Sequence, residues 1–374
     1  MLKRGDTFGA RMVKAVVRSR FIIGAQDAAL NRRWRNGQPD ILLVRHPQKG
    51  PWFYRQFLDW LGANFPQVRQ RFELALLGQG DAIDPSRYRL LVPWLQDPVQ
   101  AWSMKAYAQA CSLTARFEVL GLPVVNKPAT LANSAKSTML ETTRALGIKA
   151  ARNFPIGCVA DLHRAAGELG YPFIVRPDQG HGLKGLRIER RGDIDGISER
   201  ALTAIGKPVA IEFIDTVSAD GLFRKFRYLA AGDTGVSVHL IASRHWEVRG
   251  DSKVMTEALA SEEQDFISRH NRDAPPFDAL RRALEFDFAA FDYAYDPGGN
   301  LVVWEANPYP SIVFGRESEA LRYRSVAVHR SFAAMTALYL SRAGLDVPSE
   351  LAALVSDPGG AAARCDALTR GPVG

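Results

Sequence analysis

Between Phe288 and Ser311 the chain reads FAAFDYAYDPGGNLVVWEANPYPS, and this stretch leaves few folding options. Two runs rich in strand formers, Phe288–Tyr295 and Leu301–Ala306, flank Asp296-Pro297-Gly298-Gly299-Asn300, a concentration of turn formers. A hairpin centred between Gly298 and Gly299 sets Asp292 opposite Glu305 and Ala290 opposite Asn307. Cross-strand partners share a face and side chains alternate along a strand, so Asp292, Glu305 and Asn307 project from one side. Phe291, Tyr293, Tyr295, Val302 and Trp304 are expected on the other side, as core. Opposed carboxylates with Cβ atoms about 5 Å apart repel. Left unpaired they call for a cation, and the small Ala290 leaves room for one. Hard oxygen donors favour Mg²⁺, which commonly takes one or two carboxylates together with substrate phosphates. A solvated strand face is the plainer reading of a single acid; the opposed pair, backed by an amide, sets it aside.

The chain has 374 residues, 47% hydrophobic and 24% charged. That is the range of an ordinary soluble globular protein with two or three domains. Cys111, Cys158 and Cys365 are scattered, which argues against a disulfide scaffold or a zinc site and for a reducing cytoplasm. No apolar run approaches the ~20 residues needed to span a bilayer. The formal net charge of +8 sits almost wholly in residues 1–36, where nine Lys/Arg face only Asp6 and Asp27. The basic balance therefore describes one segment, and no specific nucleic acid is expected as a partner. Phe8, Met12, Val16, Val17 and Phe21 recur there at helical spacing. The segment reads as a basic arm that docks on an anionic membrane surface or a protein partner, or as a helical lead-in. The run Phe21–Ala25 is too short and too late for a secretory signal.

Residues 37–125 read as a small α/β domain. Strands at Ile41–Val44, Phe72–Leu77, Tyr88–Trp94 and Leu122–Val125 alternate with helices at Trp52–Leu61 and Ala101–Leu120, which implies a parallel sheet. Residues 126–345 read as a second, larger unit. A helix capped by Asn133 or Ser134 runs through Leu146, with Gly147 at its C′ position. Another begins at Asp161 and ends at Gly170. Strands follow at Phe173–Arg176, Leu186–Arg190, Val209–Ile214, Arg224–Ala231 and Val236–Ser243. Helices at Ser261–His270 and Phe277–Glu285 lead into the hairpin, and a long helix spans about Ser318–Arg342. Residues 346–374 read as a frayed, flexible tail. No internal repeat of 20–50 residues is present.

Gly180-His181-Gly182-Leu183-Lys184-Gly185 fits the spacing G-x-G-x-x-G. A dinucleotide loop needs a strand before it and a helix after it. Leu186–Arg190 alternates like a strand, which favours a flap whose backbone N–H groups cover phosphates. Arg176, fixed on the strand just upstream, is able to bond phosphate oxygens. Ala210-Ile211-Glu212-Phe213-Ile214-Asp215 is an apolar strand ending in charge. Its edge offers an adenine ring one N–H and one C=O, although such a stretch is more often a plain buried strand with an exposed Glu.

Together these pieces resemble the ATP-grasp family, which includes D-alanine–D-alanine ligase, glutathione synthetase and ribosomal-protein glutamate ligases. The resemblance covers about Asn126 to Arg330, and the α/β segment before it is similar to the family's pre-ATP-grasp domain. It implies an ATP-grasp fold in the α/β (α+β) class. The most specific part is the hairpin, where Asp292, Glu305 and Asn307 match ligands of the Mg²⁺ (or Mn²⁺) ions that bridge ATP phosphates. Arg176 stands in place of a phosphate-binding lysine. Lys136, eleven residues before Gly147, matches a second nucleotide-contacting lysine, although a lone helix-start lysine is usually solvated. Gly180, His181, Gly182 and Gly185 match the phosphate loop, Glu212, Phe213 and Ile214 the adenine hinge, and Asp220 the ribose contact. The family often has an arginine two residues before the first metal aspartate, where this chain has Ala290. Arg227, Arg244 and Arg316, beside Arg176, are the replacement candidates, each more often a surface arginine. The resemblance implies an ADP-forming ligase that turns a small-molecule or peptide carboxylate into an acyl phosphate for attack by an amine or other nucleophile. A kinase on the same fold and a nucleotide-binding regulatory module similar to synapsins are the rival readings.

Overall fold

Strand β1 (Ile41–Arg45) is buried from end to end, the pattern of a parallel strand covered on both faces. The computed structural model describes residues 39–46, 52–95, 99–180, 185–250, 252–315 and 321–368, with Ala29 and Asn31. The rest of the basic segment 1–36, and His181, Gly182 and Arg316, lie outside the described residues. Helix α1 (Trp52–Asn64) crosses from β1 to β2 (Phe72–Leu76), and β3 (Leu90–Trp94) lies on the other side of β1, giving a parallel sheet in the order β2-β1-β3. Leu122–Val125 adds no strand. Only Leu91 and Val124 bridge, because Pro123 has no N–H to extend the ladder. The helix expected over Ala101–Leu120 is broken at Ser103. Its extended backbone restarts the chain as α2 (Met104–Val119), and its hydroxyl accepts the Ala106 N–H at 3.1 Å.

Helix α3 starts at Lys136 and ends at Ala145, after a 3₁₀ turn over Pro128–Ser134. Neither Asn133 nor Ser134 caps it. The Asp178 carboxylate does so from another strand's end, accepting the Ser137 N–H at 2.8 Å and the Ser137 hydroxyl at 2.9 Å, a favourable site for an anion. A second sheet combines β4 (Asn153–Pro155), β5 (Phe173–Pro177), β6 (Leu186–Ile188) and β7 (Pro208–Glu212). It is antiparallel in the order β4-β7-β5-β6, backed by α4 (Val159–Leu169). A third antiparallel sheet, β10-β9-β8-β11-β12, uses β8 (Phe223–Ala231), β9 (Thr234–Ser243), β10 (Lys253–Val254), β11 (Phe288–Tyr295) and β12 (Leu301–Asn307). Helices α5 (Glu257–Ile267) and α6 (Ala274–Ala283) precede the hairpin. α5 begins earlier than expected because the Thr256 hydroxyl caps it, accepting the Leu259 N–H at 3.2 Å.

Helix α7 (Arg324–Arg342) is followed by α8 (Ser349–Ser356) and α9 (Ala361–Asp366). The flexible tail expected from residue 346 is therefore corrected through residue 368: Leu351, Leu354, Val355, Ala361 and Cys365 are buried. The buried Arg330 holds these ends together, donating to the carbonyls of Ile267 at 2.7 Å and Leu354 at 3.1 Å. Such carbonyls have no partner within their own helices. The largest core joins β1, α1 and β3 to α7 and α8 without a break. Residues 37–125 thus share a core with the C-terminal helices. Among the described residues no helix is long and apolar enough to cross a membrane.

Candidate active site

The hairpin register at the acidic pair is the expected one, with Ala290 opposite Asn307 and Asp292 opposite Glu305. Beyond Asp292 the register slips, so that Tyr293 faces Val303. Trp304 becomes the extra residue of a bulge. Bulges re-aim side chains beside functional sites, and here Trp304 lines a cavity with Glu305 instead of joining the core. Tyr293 and Val303 stay buried on the far face.

That cavity, about 310 Å³, lies between the two antiparallel sheets. Leu140, Ala151, Ile174 and Ile211 make its apolar wall, and Phe213 and Ile214 continue it from the end of β7. Arg176, Lys225, Arg249, Asp292 and Glu305 make its polar wall. The fold thus gathers Arg176, Glu212, Phe213, Ile214, Asp292 and Glu305 around one space. Lys225 was missed, although it lies two residues from Arg227 and so on the same strand face. Trp246, Glu247 and Arg249 carry no motif, since they belong to a loop that only the tertiary fold brings in. Arg187 sits over the Phe213 ring at 4.1 Å and within 5.8 Å of Trp246. The Gly185 N–H donates to Glu247 Oε1 at 3.0 Å. These contacts fasten the strand after the glycine loop to the Trp246–Gly250 segment.

Other expected residues are placed elsewhere. Lys136, 2% exposed, donates to the Gly180 carbonyl at 2.7 Å and anchors the first glycine of the loop, outside the cavity wall. The Asn307 amide oxygen accepts the Tyr309 N–H at 2.9 Å. Asp220 is held by Arg224 at 2.8 and 3.0 Å, and these hydrogen bonds lower its pKa to about 2. The Glu212 carboxylate turns to Arg152, 2.9 Å away. Burial alone would raise its pKa, but the Arg152 bonds prevail and lower it. Arg244 is exposed.

One expectation fails outright: Asp292 is not an unpaired partner of Glu305. Arg227 Nε reaches its Oδ1 at 2.6 Å and Nη2 its Oδ2 at 2.8 Å, with the Lys225 ammonium at 3.5 Å. Strand β8 pairs with β11 and sets Arg227 opposite Asp292, so cations and acids share one face. Burial by itself would raise the Asp292 pKa. The Arg227 and Lys225 charges and the Arg227 hydrogen bonds outweigh it and hold the carboxyl well below the usual carboxylate range.

No family model matches the chain, and no curated protein matches it in sequence. Solved structures match it in fold. The D-Ala:D-Ser ligase VanG from Enterococcus faecalis is 13% identical, with 82% of this chain and 100% of that chain covered, at a TM-score of 0.51. The ATP-grasp ligase PsnB, complexed with a phosphomimetic variant of its minimal precursor, Mg and ADP, is 13% identical over 80% of this chain and 100% of that one, also at 0.51. N5-carboxyaminoimidazole synthetase from Staphylococcus aureus is 11% identical over 84% and 80%, at 0.51. At these identities the likeness is one of fold alone: the chain has the ATP-grasp fold.

Proposed function

We propose that the chain is an ATP- and Mg²⁺-dependent ligase that converts a carboxylate to an acyl phosphate for attack by an amine. One observation carries the reading. A single cavity sets an apolar slot against a row of cations, Arg176, Lys225 and Arg249, that ends at the ionised Asp292 and at Glu305. The similar structures support it, since two are ligases and one of these is complexed with Mg and ADP.

The donor set suits a hard divalent cation. Asp292 is ionised although buried, Glu305 lies directly opposite, and Asn307 keeps a second lone pair on an amide oxygen already aligned by Tyr309. These three residues would hold Mg²⁺, which when bound supplies neutralising charge to the phosphates. Leu140, Ala151, Ile211 and Phe213 would enclose a purine base. Arg176, Lys225 and Arg249 would bind phosphate oxygens, and their charges act strongly where water is sparse. The Arg187 and Gly185 contacts close one side and exclude water, which matters because an acyl phosphate hydrolyses readily. A substrate carboxylate oxygen attacks the γ-phosphorus and ADP leaves; the amine then attacks the acyl carbon and phosphate leaves.

Hydroxylamine trapping tests this. ATP, Mg²⁺ and a panel of carboxylates should yield ADP together with a hydroxamate. A stable phosphorylated product without hydroxamate would assign a kinase on the same fold and overturn the ligase.

A second expectation concerns the cavity wall. A Cβ on Gly185 would meet Ile174 Cγ2 at 2.7 Å and Trp246 at 3.5 Å. Gly185→Ala therefore pushes Ile174 toward the slot, an overpacking strain of about 1–3 kcal/mol. Calorimetric ATP affinity should fall by roughly tenfold, and an unchanged affinity would show that Ile174 does not shape the slot.

A further inference from the structure

The Arg227 guanidinium engages both oxygens of Asp292 in a two-pronged contact, and so uses lone pairs that a hard cation would also need. The pair is built into the sheet. Asp292 and Arg227 are directly aligned across β11 and β8, and their side chains are 6% and 19% exposed. The register slips immediately beside each of them, after Asp292 toward β12 and after Arg227 toward β9. The extra residue of each irregularity lies on the neighbouring strand, Trp304 on β12 and Val238 on β9, and bulges re-aim side chains beside functional sites. Across the other edge of β8, Arg227 is aligned with His239. His239 Nε2 is buried and has no hydrogen-bond partner among the described residues. Burial first, and the Arg227 charge second, hold the His239 pKa well below its usual value. A neutral imidazole carries one acceptor nitrogen, so Arg227 has a second acceptor on the strand next to its present one.

We propose that Arg227 is a displaceable counter-ion: it closes Asp292 in the metal-free protein, yields it to a divalent cation, and turns to His239. In both states the buried carboxylate keeps a positive partner, which avoids the cost of an unpaired buried charge. Once turned, the guanidinium has donors beyond the one His239 accepts, free for an oxygen of the reacting phosphate. That would fill the role left open by Ala290. The proposal rests on the ligase reading for the identity of the site.

The test uses the full chain without nucleotide and Mn²⁺ as probe, with free Mn²⁺ followed by electron paramagnetic resonance. Arg227→Gln removes the competitor and should tighten Mn²⁺ binding about tenfold or more, the weight of a charged hydrogen-bonded pair. Arg227→Lys retains the charge but lacks the fork, and should lie between the two; it carries the test if Arg227→Gln does not fold. His239→Leu should weaken Mn²⁺ binding in the native background and have no effect beside Arg227→Gln. Equal affinities in native protein and both Arg227 variants, with Glu305→Gln still weakening Mn²⁺, would overturn the counter-ion exchange and leave the ligase reading standing. If Glu305→Gln leaves Mn²⁺ binding intact, the site itself is misassigned. A His239→Leu effect that persists beside Arg227→Gln would remove His239 from the exchange.

Discussion

Glu305→Gln will lower turnover about 10²–10³-fold, the usual cost of losing one preorganised charge contact at a reacting centre, while the protein stays folded. The substitution keeps size and hydrogen bonding but removes one of two opposed carboxylates from the donor set. Its effect on the metal-free fold should be small. Glu305 repels Asp292 across the pair, yet its charge also favours the charged form of Arg227, and these contributions oppose each other. Relieving the opposed pair therefore brings little net gain, and the shift should stay within about 1 kcal/mol in either direction. ADP release and a thermal melt without ligand measure the two halves separately. Normal turnover in a folded variant would take Glu305 out of the chemistry.

Phe57→Ala should destabilise the chain by about 3–5 kcal/mol, as for other buried aromatic truncations. The ring is fully buried and lies edge-on to Phe72 at 5.9 Å, Trp94 at 5.7 Å, Phe332 at 5.5 Å and Tyr339 at 6.3 Å. Two of those rings belong to the parallel sheet and two to α7, so the cavity left behind would sit in the core shared by both ends of the chain. Urea unfolding followed by fluorescence and by circular dichroism should move together in one transition. Two separate transitions, only one of them shifted, would mean that residues 37–125 hold a core of their own.

The hairpin was legible because a turn motif between two strand-forming runs is local information, but the turn did not fix the register: Tyr295 faces Leu301 instead of Val302, and the Trp304 bulge restores the expected pairing at Asp292 and Glu305. The parallel sheet was legible for a similar reason, since its strands are short apolar runs between helices. What failed depended on other strands. Nothing near Asp292 in sequence announces Arg227 or Lys225, which arrive from β8 through sheet pairing. Nothing near Lys136 announces that Asp178 caps α3 and that the lysine turns to Gly180. Trp304 was assigned to the wrong face because a one-residue bulge inverts the alternation, and side-chain periodicity cannot foresee a bulge. The apparent tail was misread from its Gly and Ala content, while Leu351, Leu354 and Val355 supplied a helical stripe that finds its partner on α7.

On the proposed function, ATP and a divalent cation bind together between the antiparallel sheets, on Asp292 and Glu305. This is tested most directly by comparing nucleotide-induced thermal stabilisation of the native protein and Glu305→Gln, each with ATP alone and with ATP plus Mg²⁺. A ligand that binds only the folded state stabilises it by about 2.7 kcal/mol at one hundred times its dissociation constant. The native protein should therefore melt at a distinctly higher temperature with ATP and Mg²⁺ than with ATP alone. In Glu305→Gln that Mg²⁺-dependent increment should be nearly lost. Equal increments in the two proteins would contradict the account.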